Sequence, residues 1–309
     1  MLLGLGLLAF GSSAILVRFA SAAPGATLVV WRTAFVVLVL APLAFARCRD
    51  EWRALGQRDW VLIGLSGSLL GVHFLAYVES LYLTSVASAS VLVTLSPLFI
   101  AVLGFVVLGE RLTRRTAAAV GAGVTGAAMI GLADAAEGAF ANPALGNALA
   151  LGAAFVVSVY LLIGRVVRQR VSFLAYFFPL NAFAAGVAAL IALGRGAELA
   201  QPTPILLLCL AMALGPGLLG HGAFNYAVRF VPTAVLGLLT LAEPLLASAL
   251  ALVLFGEVPP PLALAGMGVV LASIATVFLR APARRLPDQG RGRNRSVGSA
   301  ANVRRPRRK

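Results

Sequence analysis

Ten apolar runs, each close to the length of a bilayer-spanning helix, follow one another between residues 1 and 279 of this chain. They fall near residues 1–20, 27–46, 60–82, 87–109, 114–133, 146–165, 172–194, 204–228, 233–255 and 260–279. A helix rises about 1.5 Å per residue, so roughly 20 apolar residues cross the hydrocarbon layer. A backbone in that layer has no water to bond and must satisfy itself, which leaves helices for runs of this kind. The expectation is an all-α membrane protein of ten transmembrane helices. Of the 309 residues, 60% are hydrophobic and 12% charged, against about 25% charged in a soluble domain.

The net charge of +14 does not describe a nucleic-acid surface. Residues 281–309 hold ten Lys and Arg and a single acid, Asp288, so this stretch alone carries +9. Its Arg, Gly, Pro and Ser read as a disordered basic tail lying against anionic lipid. The remaining arginines are distributed asymmetrically. Arg47, Arg49, Arg53 and Arg58 follow the second run, Arg111, Arg114 and Arg115 the fourth, and Arg165, Arg168 and Arg170 the sixth. The alternate loops hold only Arg195. Arginine-rich loops stay on the cytoplasmic side, which puts both chain ends inside and the protein in the inner (plasma) membrane. The first run ends in Ala20-Ser21-Ala22. It lacks the basic start and short core of a cleaved signal, so it reads as a span, with a short cytoplasmic leader expected ahead of it. Cys48 and Cys209 lie in unlike settings, so neither a disulfide nor a metal site is expected, and no cofactor is called for.

The chain repeats itself. Pro97 and Glu110 are 13 residues apart, as are Pro244 and Glu257, and an offset of 147 superimposes both pairs. The same offset matches Arg18 with Arg165, Gly109 with Gly256 and Gly121 with Gly268. Two five-helix units are implied, at residues 1–133 and 146–280. Five is odd, so the units insert in opposite directions, as in inverted-repeat transporters whose solute site lies where the halves meet.

The stretches Ser96-Pro97…Leu108-Gly109-Glu110-Arg111-Leu112 and Ala242-Glu243-Pro244…Phe255-Gly256-Glu257, with Trp31-Arg32-Thr33 early in the second helix, resemble the EamA branch of the drug/metabolite transporter superfamily. The resemblance covers residues 1 to about 280. It implies a bundle with a central cavity lined mainly by helices 1, 3, 4, 6, 8 and 9. Members move very different solutes, so it names no substrate.

Polar groups inside a bilayer are costly, and those that persist are site candidates. Glu243 lies near the midplane, and Pro244 after it deprives the carbonyl of Thr240 of its donor. Carboxylate and carbonyl together suit a proton or a cationic group; a structural hydrogen-bonding role is the alternative. Pro97 and Pro244 are helix-kink candidates at matched depths, and Pro216 within Gly215-Pro216-Gly217 reads as an interruption of helix 8. His73 and Tyr77, like His221 and Asn225, are four apart and share a helix face. Histidine exchanges protons near cellular pH, while a buried structural histidine is the plainer role. Arg32 fits a side chain snorkelling to the headgroups better than a ligand for an anionic group. Glu79 is placed to pair with Arg32 or Arg18. Tyr160 and Asn181 are further candidates. Glu110 and Glu257 end their helices and are expected to cap or pair at the start of the next helix rather than touch solute. Gly121, Gly123, Gly126, Gly266 and Gly268 are expected to allow close helix contact.

The reading is a non-enzymatic secondary transporter, exporting small organic metabolites such as amino acids, with a bilayer and a small solute as partners and proton coupling open. No nucleotide-binding glycine loop is present. The alternative is a membrane-embedded enzyme acting on a lipid. Solute identity, coupling ion and oligomeric state are not encoded legibly. Reporter fusions after residues 55, 140 and 290 are expected to read inside, outside and inside. An external tail would remove the inverted-repeat argument.

Overall fold

The computed structural model describes residues 2–108, 113–138, 140–227 and 242–278. In chain order the helices are α1 (Leu2–Phe19), α2 (Gly25–Arg47), α3 (Arg49–Ala54), α4 (Gln57–Leu83), α5 (Val86–Val93), α6 (Ser96–Leu108), α7 (Arg114–Glu137), α8 (Pro143–Val167), α9 (Phe173–Gly194) and α10 (Thr203–Met212). A π-helical segment (Ala213–Gly222) continues α10 into α11 (Ala223–Ala227), and α12 (Ala242–Phe255) and α13 (Pro261–Phe278) follow among the described residues. All regular structure among the described residues is helical. Among the described residues six helices are long and apolar enough to cross a membrane: α2, α4, α7, α8, α9 and the continuous rod Thr203–Ala227. Four shorter apolar stretches accompany them: Leu5–Phe19, Val86–Ile100, Glu243–Phe255 and Pro261–Thr276. Leu190 and Val253 are 73% and 79% exposed, which suits lipid rather than water as the solvent of this surface.

Helix ends are fixed by short polar side chains. Ser85 accepts from Ser88 N at the start of α5, and Thr113 accepts from Thr116 N at the start of α7. Asn142 accepts from Leu145 N ahead of Pro143, which sits in the first turn of α8 where it displaces no bond. α7 ends on Gly138 at φ 62°, a left-handed position that favours glycine. The fourth apolar run breaks into α5 and α6 at Thr94–Leu95, just ahead of Pro97. Proline has no N–H to return to Val93, and the Thr94 hydroxyl folds back on the Val91 carbonyl at 2.7 Å.

Gly215-Pro216-Gly217 does not interrupt its helix, contrary to the sequence expectation. The rod continues in a wider π form through all of Ala213–Gly222. The wider turn accommodates the proline, and four glycines remove the side chains that would crowd it. Their bareness also brings α1 close: a methyl on Gly220 would lie 2.9 Å from the Phe10 ring, and one on Gly6 would lie 2.9 Å from the Leu219 carbonyl.

The bundle is built by contacts of α4 with α8 and α9, α7 with α13, α2 with α9, and α1 with the π segment and α12. Without a strong hydrophobic force between helices in lipid, close packing at small residues carries the association. Gly67 and Gly71 let α4 press on α9, where added methyls would lie 2.5 Å from Leu180 O and 2.8 Å from Ala184 O. Gly126 and Gly266 meet across α7 and α13, each 2.7 Å from the other's carbonyl oxygen once a methyl is added. Gly121 and Gly268 face open space and allow no close contact, which divides the glycines that the sequence grouped together.

Gly126→Val is therefore expected to lower the melting temperature in detergent by the equivalent of about 1–3 kcal/mol of overpacking. Gly121→Ala, on the same helix with nothing within 4 Å, is expected to leave it unchanged or raise it. Equal losses in both would contradict the packing role.

Candidate functional site

A cavity of about 100 Å³ lies in the middle of the bundle. Its walls come from α1 (Phe10, Ser13), α4 (His73, Phe74, Tyr77), the α5–α6 break (Val93, Thr94, Ser96), α8 (Val157, Tyr160, Leu161), the Thr203–Ala227 rod (His221, Phe224) and α12 (Glu243). α2 adds one side chain, Arg32, which the resemblance did not anticipate.

The two histidines meet here, with ring centroids 6.2 Å apart. His73 Nδ1 lies 2.9 Å from the Ala153 carbonyl, which can only accept, so Nδ1 carries a proton and the neutral ring keeps Nε2 as an acceptor. His73 stacks parallel to Tyr77, whose hydroxyl is 3.3 Å from Ser90 Oγ. His221 packs edge-on between Phe10 and Phe74, at 4.8 and 5.0 Å. Asn225 stands one turn beyond His221. It donates to Tyr160 Oη and to the His221 carbonyl, both at 2.8 Å, tying the rod to α8.

Arg32 does not snorkel. It is 2% exposed, and its guanidinium lies 4.1 Å from the Phe74 ring centroid. Its Nη1 is buried with no hydrogen-bond partner among the described residues. Roughly 0.5–2 kcal/mol from a cation–π contact falls short of the several kcal/mol that an unpaired buried ion costs. Rotation of α2 decides this, and its neighbours show how: Trp31 Nε1 donates to Leu199 O at 2.8 Å, and Thr33 Oγ1 bonds back to Val29 O at 2.6 Å. Glu243 begins α12 at the cavity wall, half-buried. Tyr77 lies within Coulombic reach of both Arg32 and Glu243. The ion pairs among the described residues are Arg18–Glu257, Arg53–Asp50, Arg170–Asp59 and Arg195–Glu79, so Arg32 and Glu243 remain unpaired with each other.

The remaining sequence candidates fall outside the cavity. Asn181 donates to Phe177 O in its own helix, a structural contact. Glu79 pairs with Arg195 at 3.0 Å rather than with Arg32 or Arg18, because the end of α9 comes alongside α4. Pro97 lies in the first turn of α6, Pro216 within the π segment of the rod, and Pro244 is buried in the first turn of α12. Thr240, Glu110 and the basic tail lie outside the described residues. No three His, Cys, Asp or Glu side chains converge as metal ligands among those described.

A second polar cluster closes one end of the bundle. Arg18 pairs with Glu257 at 3.1 Å and donates to the Thr84 carbonyl at 2.8 Å. Glu257 also accepts from Val86 N at the start of α5, so it caps and pairs at once. Just beneath, buried Asp134 accepts from Ser88 Oγ (3.1 Å) and Asn147 Nδ2 (2.8 Å). The Thr84 hydroxyl, with a single proton, lies 3.2 Å from Asp134 Oδ2 and 2.9 Å from Asn147 Oδ1. α1, α4, α5, α7, α8 and the loop after α12 are joined in this way.

The model of the EamA-like transporter family matches residues 1–132 and again residues 144–279. The chain belongs to the EamA-like transporter family. It is thus a multi-pass membrane protein of a transporter family. Among relatives of this EamA-like chain is a "Probable terminal-alkyne amino-acid exporter" of Streptantibioticus cattleyicolor, 30% identical over 202 residues. The match spans 64% of this chain and 66% of that protein. A solved structure, described only as "Crystal structure of protein", shares the fold at a TM-score of 0.62 and 20% identity, covering 90% of this chain and 96% of that one.

The sequence did not single out Ser13, Thr94, Phe10, Phe74 or Phe224, because small polar and aromatic residues are common in apolar helices. Asp134 is an acid immediately after the fifth apolar run, where sequence alone places it in a loop. Asp134→Ala is expected to lower the thermal stability of the EamA-like protein by about 1–3 kcal/mol, since it leaves buried donors unpaired. Glu79→Gln, in a half-exposed pair, is expected to change it by less than about 1 kcal/mol. Melting in detergent distinguishes the two, and an unmoved Asp134→Ala would contradict the role of the cluster.

Proposed function

We propose that the chain is a secondary transporter that exports small organic metabolites such as amino acids across the inner membrane. The observation that carries this reading is the central cavity, whose walls come from both halves of the chain and include a carboxylate, an arginine and two histidines. In this reading the four shorter apolar stretches join the six long helices to make ten crossings, with both termini cytoplasmic. The halves, residues 1–133 and 146–280, are inverted repeats, and residues 281–309 form a basic cytoplasmic tail.

The contacts support a two-fold exchange of halves. Exchange turns α1, α2, α4, α5 with α6, and α7 into α8, α9, the rod, α12 and α13. The α2–α9 and α7–α13 contacts map onto themselves. The α4–α8 contact maps onto α1 with the rod, α4–α9 onto α2 with the rod, and α8 with α5 and α6 onto α1–α12. All of these contacts are made. The separate family matches over residues 1–132 and 144–279 favour the same division. The relative described as an amino-acid exporter favours the solute class. The Arg18–Glu257 and Asp134 cluster serves as the external closure, since it lies at the ends that the arginine distribution assigns to the outside.

Glu243 is the coupling group in this mechanism. Half-buried on the wall, with Tyr77, His73, His221 and Arg32 on the facing helices, its carboxyl is placed to take up a proton from one side and release it to the other. Glu243→Gln is expected to insert and fold normally, because the amide keeps the shape. Transport in proteoliposomes, assayed over a panel of neutral amino acids and other metabolites, should fall by about tenfold or more, the scale of one lost charge-assisted hydrogen bond. Its dependence on a pH gradient should vanish. A variant with the normal rate and unchanged pH dependence would leave Glu243 as a structural group, and no transport of any panel solute by the unmodified protein would overturn the function.

A further inference from the structure

The transport reading leaves Arg32 without a task, yet it is the most conspicuous side chain in the cavity. It stands seven residues into α2, about 10 Å along the helix, and is 2% exposed. Arginines that face an acid are paired with it: the half-buried Arg18 with Glu257, and the exposed Arg170 and Arg195 with Asp59 and Glu79. Among the described residues Arg32 has no acid in salt-bridge reach, and it lies over the face of Phe74 with an unpartnered Nη1. Trp31 and Thr33, on either side, are satisfied by backbone carbonyls. A planar guanidinium with free N–H groups facing a cavity is matched by a carboxylate, which it can hold through two parallel hydrogen bonds.

On the cavity wall with it stands Glu243, which does not reach Arg32. The site therefore presents one positive and one negative group with a gap between them, floored by Phe10, Phe74 and Phe224. A dianion or inorganic anion would meet Glu243, and a plain cation would meet Arg32. A zwitterion answers both charges and adds no net charge. Size narrows the choice, because a cavity of about 100 Å³ is smaller than the roughly 150 Å³ that admits benzene. The geometry points to Arg32 as the anchor for the carboxylate of the transported solute, with Glu243 facing its ammonium, so that the ligand is a small neutral α-amino acid with a free carboxylate. This rests on the transport reading and names the solute group that the reading leaves open.

The test is counterflow of labelled L-alanine by the full-length protein in proteoliposomes. Unlabelled L-alanine and L-alaninamide, which lacks only the carboxylate, serve as competitors. The unmodified protein is expected to exchange alanine and to discriminate against the amide by about tenfold or more. Arg32→Gln is expected to raise the KM for alanine at least about tenfold and to abolish the discrimination, while Arg32→Lys keeps part of both. The ratio of the two competitors is the deciding readout, because a merely structural arginine would change rate or yield without changing it. If Arg32→Gln does not fold, the Arg32→Lys ratio and the unmodified protein's own ratio decide. Alanine exchange with equal competition by the amide, or an undiminished ratio in Arg32→Gln or Arg32→Lys, would overturn the anchor alone. Failure of the unmodified protein to exchange any amino acid would overturn the solute class and the anchor with it.

Discussion

A backbone in hydrocarbon has to close its own hydrogen bonds, and every other feature of this molecule is arranged around that demand. It makes the chain helical and confines each break to a place where another group takes over. At Thr94–Leu95 the threonine hydroxyl bonds back to Val91 O. At Pro216 the rod widens rather than breaks. At the start of α5, Ser85 and Glu257 receive the backbone N–H groups that a helix N-terminus leaves open. These irregular places are also where the cavity and the polar cluster lie, because only there can backbone and polar side chains face something other than lipid.

The polar residues within the bundle divide by whether the protein satisfies them. Asp134, Asn147, Thr84 and Ser88 satisfy one another, and Arg18 and Glu257 pair above them. Tyr160, Asn225 and His73 are held by defined partners while still lining or adjoining the cavity. Arg32 is left with an open donor and, among the described residues, no acid in salt-bridge reach, whereas Arg18, whose Nε is also open, keeps Glu257. The first group ties helices together, the second fixes the shape of the cavity, and the last gives it an unmet demand that a solute can answer.

Much of this was legible in the sequence. Apolar runs located the helices because hydropathy is a local property of the chain. His73, His221 and Glu243 stood out because they are rare in such runs. Glu257 was expected to cap or pair at the start of the next helix; it does cap and pair, but at the start of α5 and with Arg18 of α1, helices that only the fold brings to it. What could not be read depends on how a helix is turned about its axis, which neighbours decide. The same Arg32 that sequence directs to the headgroups is turned inward over Phe74, and Glu79 meets Arg195 from the far end of α9. Gly126 and Gly121 look alike in sequence, yet only one faces another helix. The π form of the rod was hidden for a related reason: Gly-Pro-Gly permits a break or a widening, and the pressure of α1 through Phe10 and Gly6 accompanies the second.

The central claim is that the cavity between the halves is the solute path, opened to one side of the membrane at a time. Ser13 lines it and is 5% exposed. A cysteine at Ser13, with Cys48 and Cys209 replaced by alanine, can be probed with a membrane-impermeant thiol reagent applied to either face of proteoliposomes. The account predicts modification that depends on the face and is slowed by the transported solute. A Ser13→Cys protein that still transports, yet resists the reagent from both faces or reacts indifferently to solute, would contradict it.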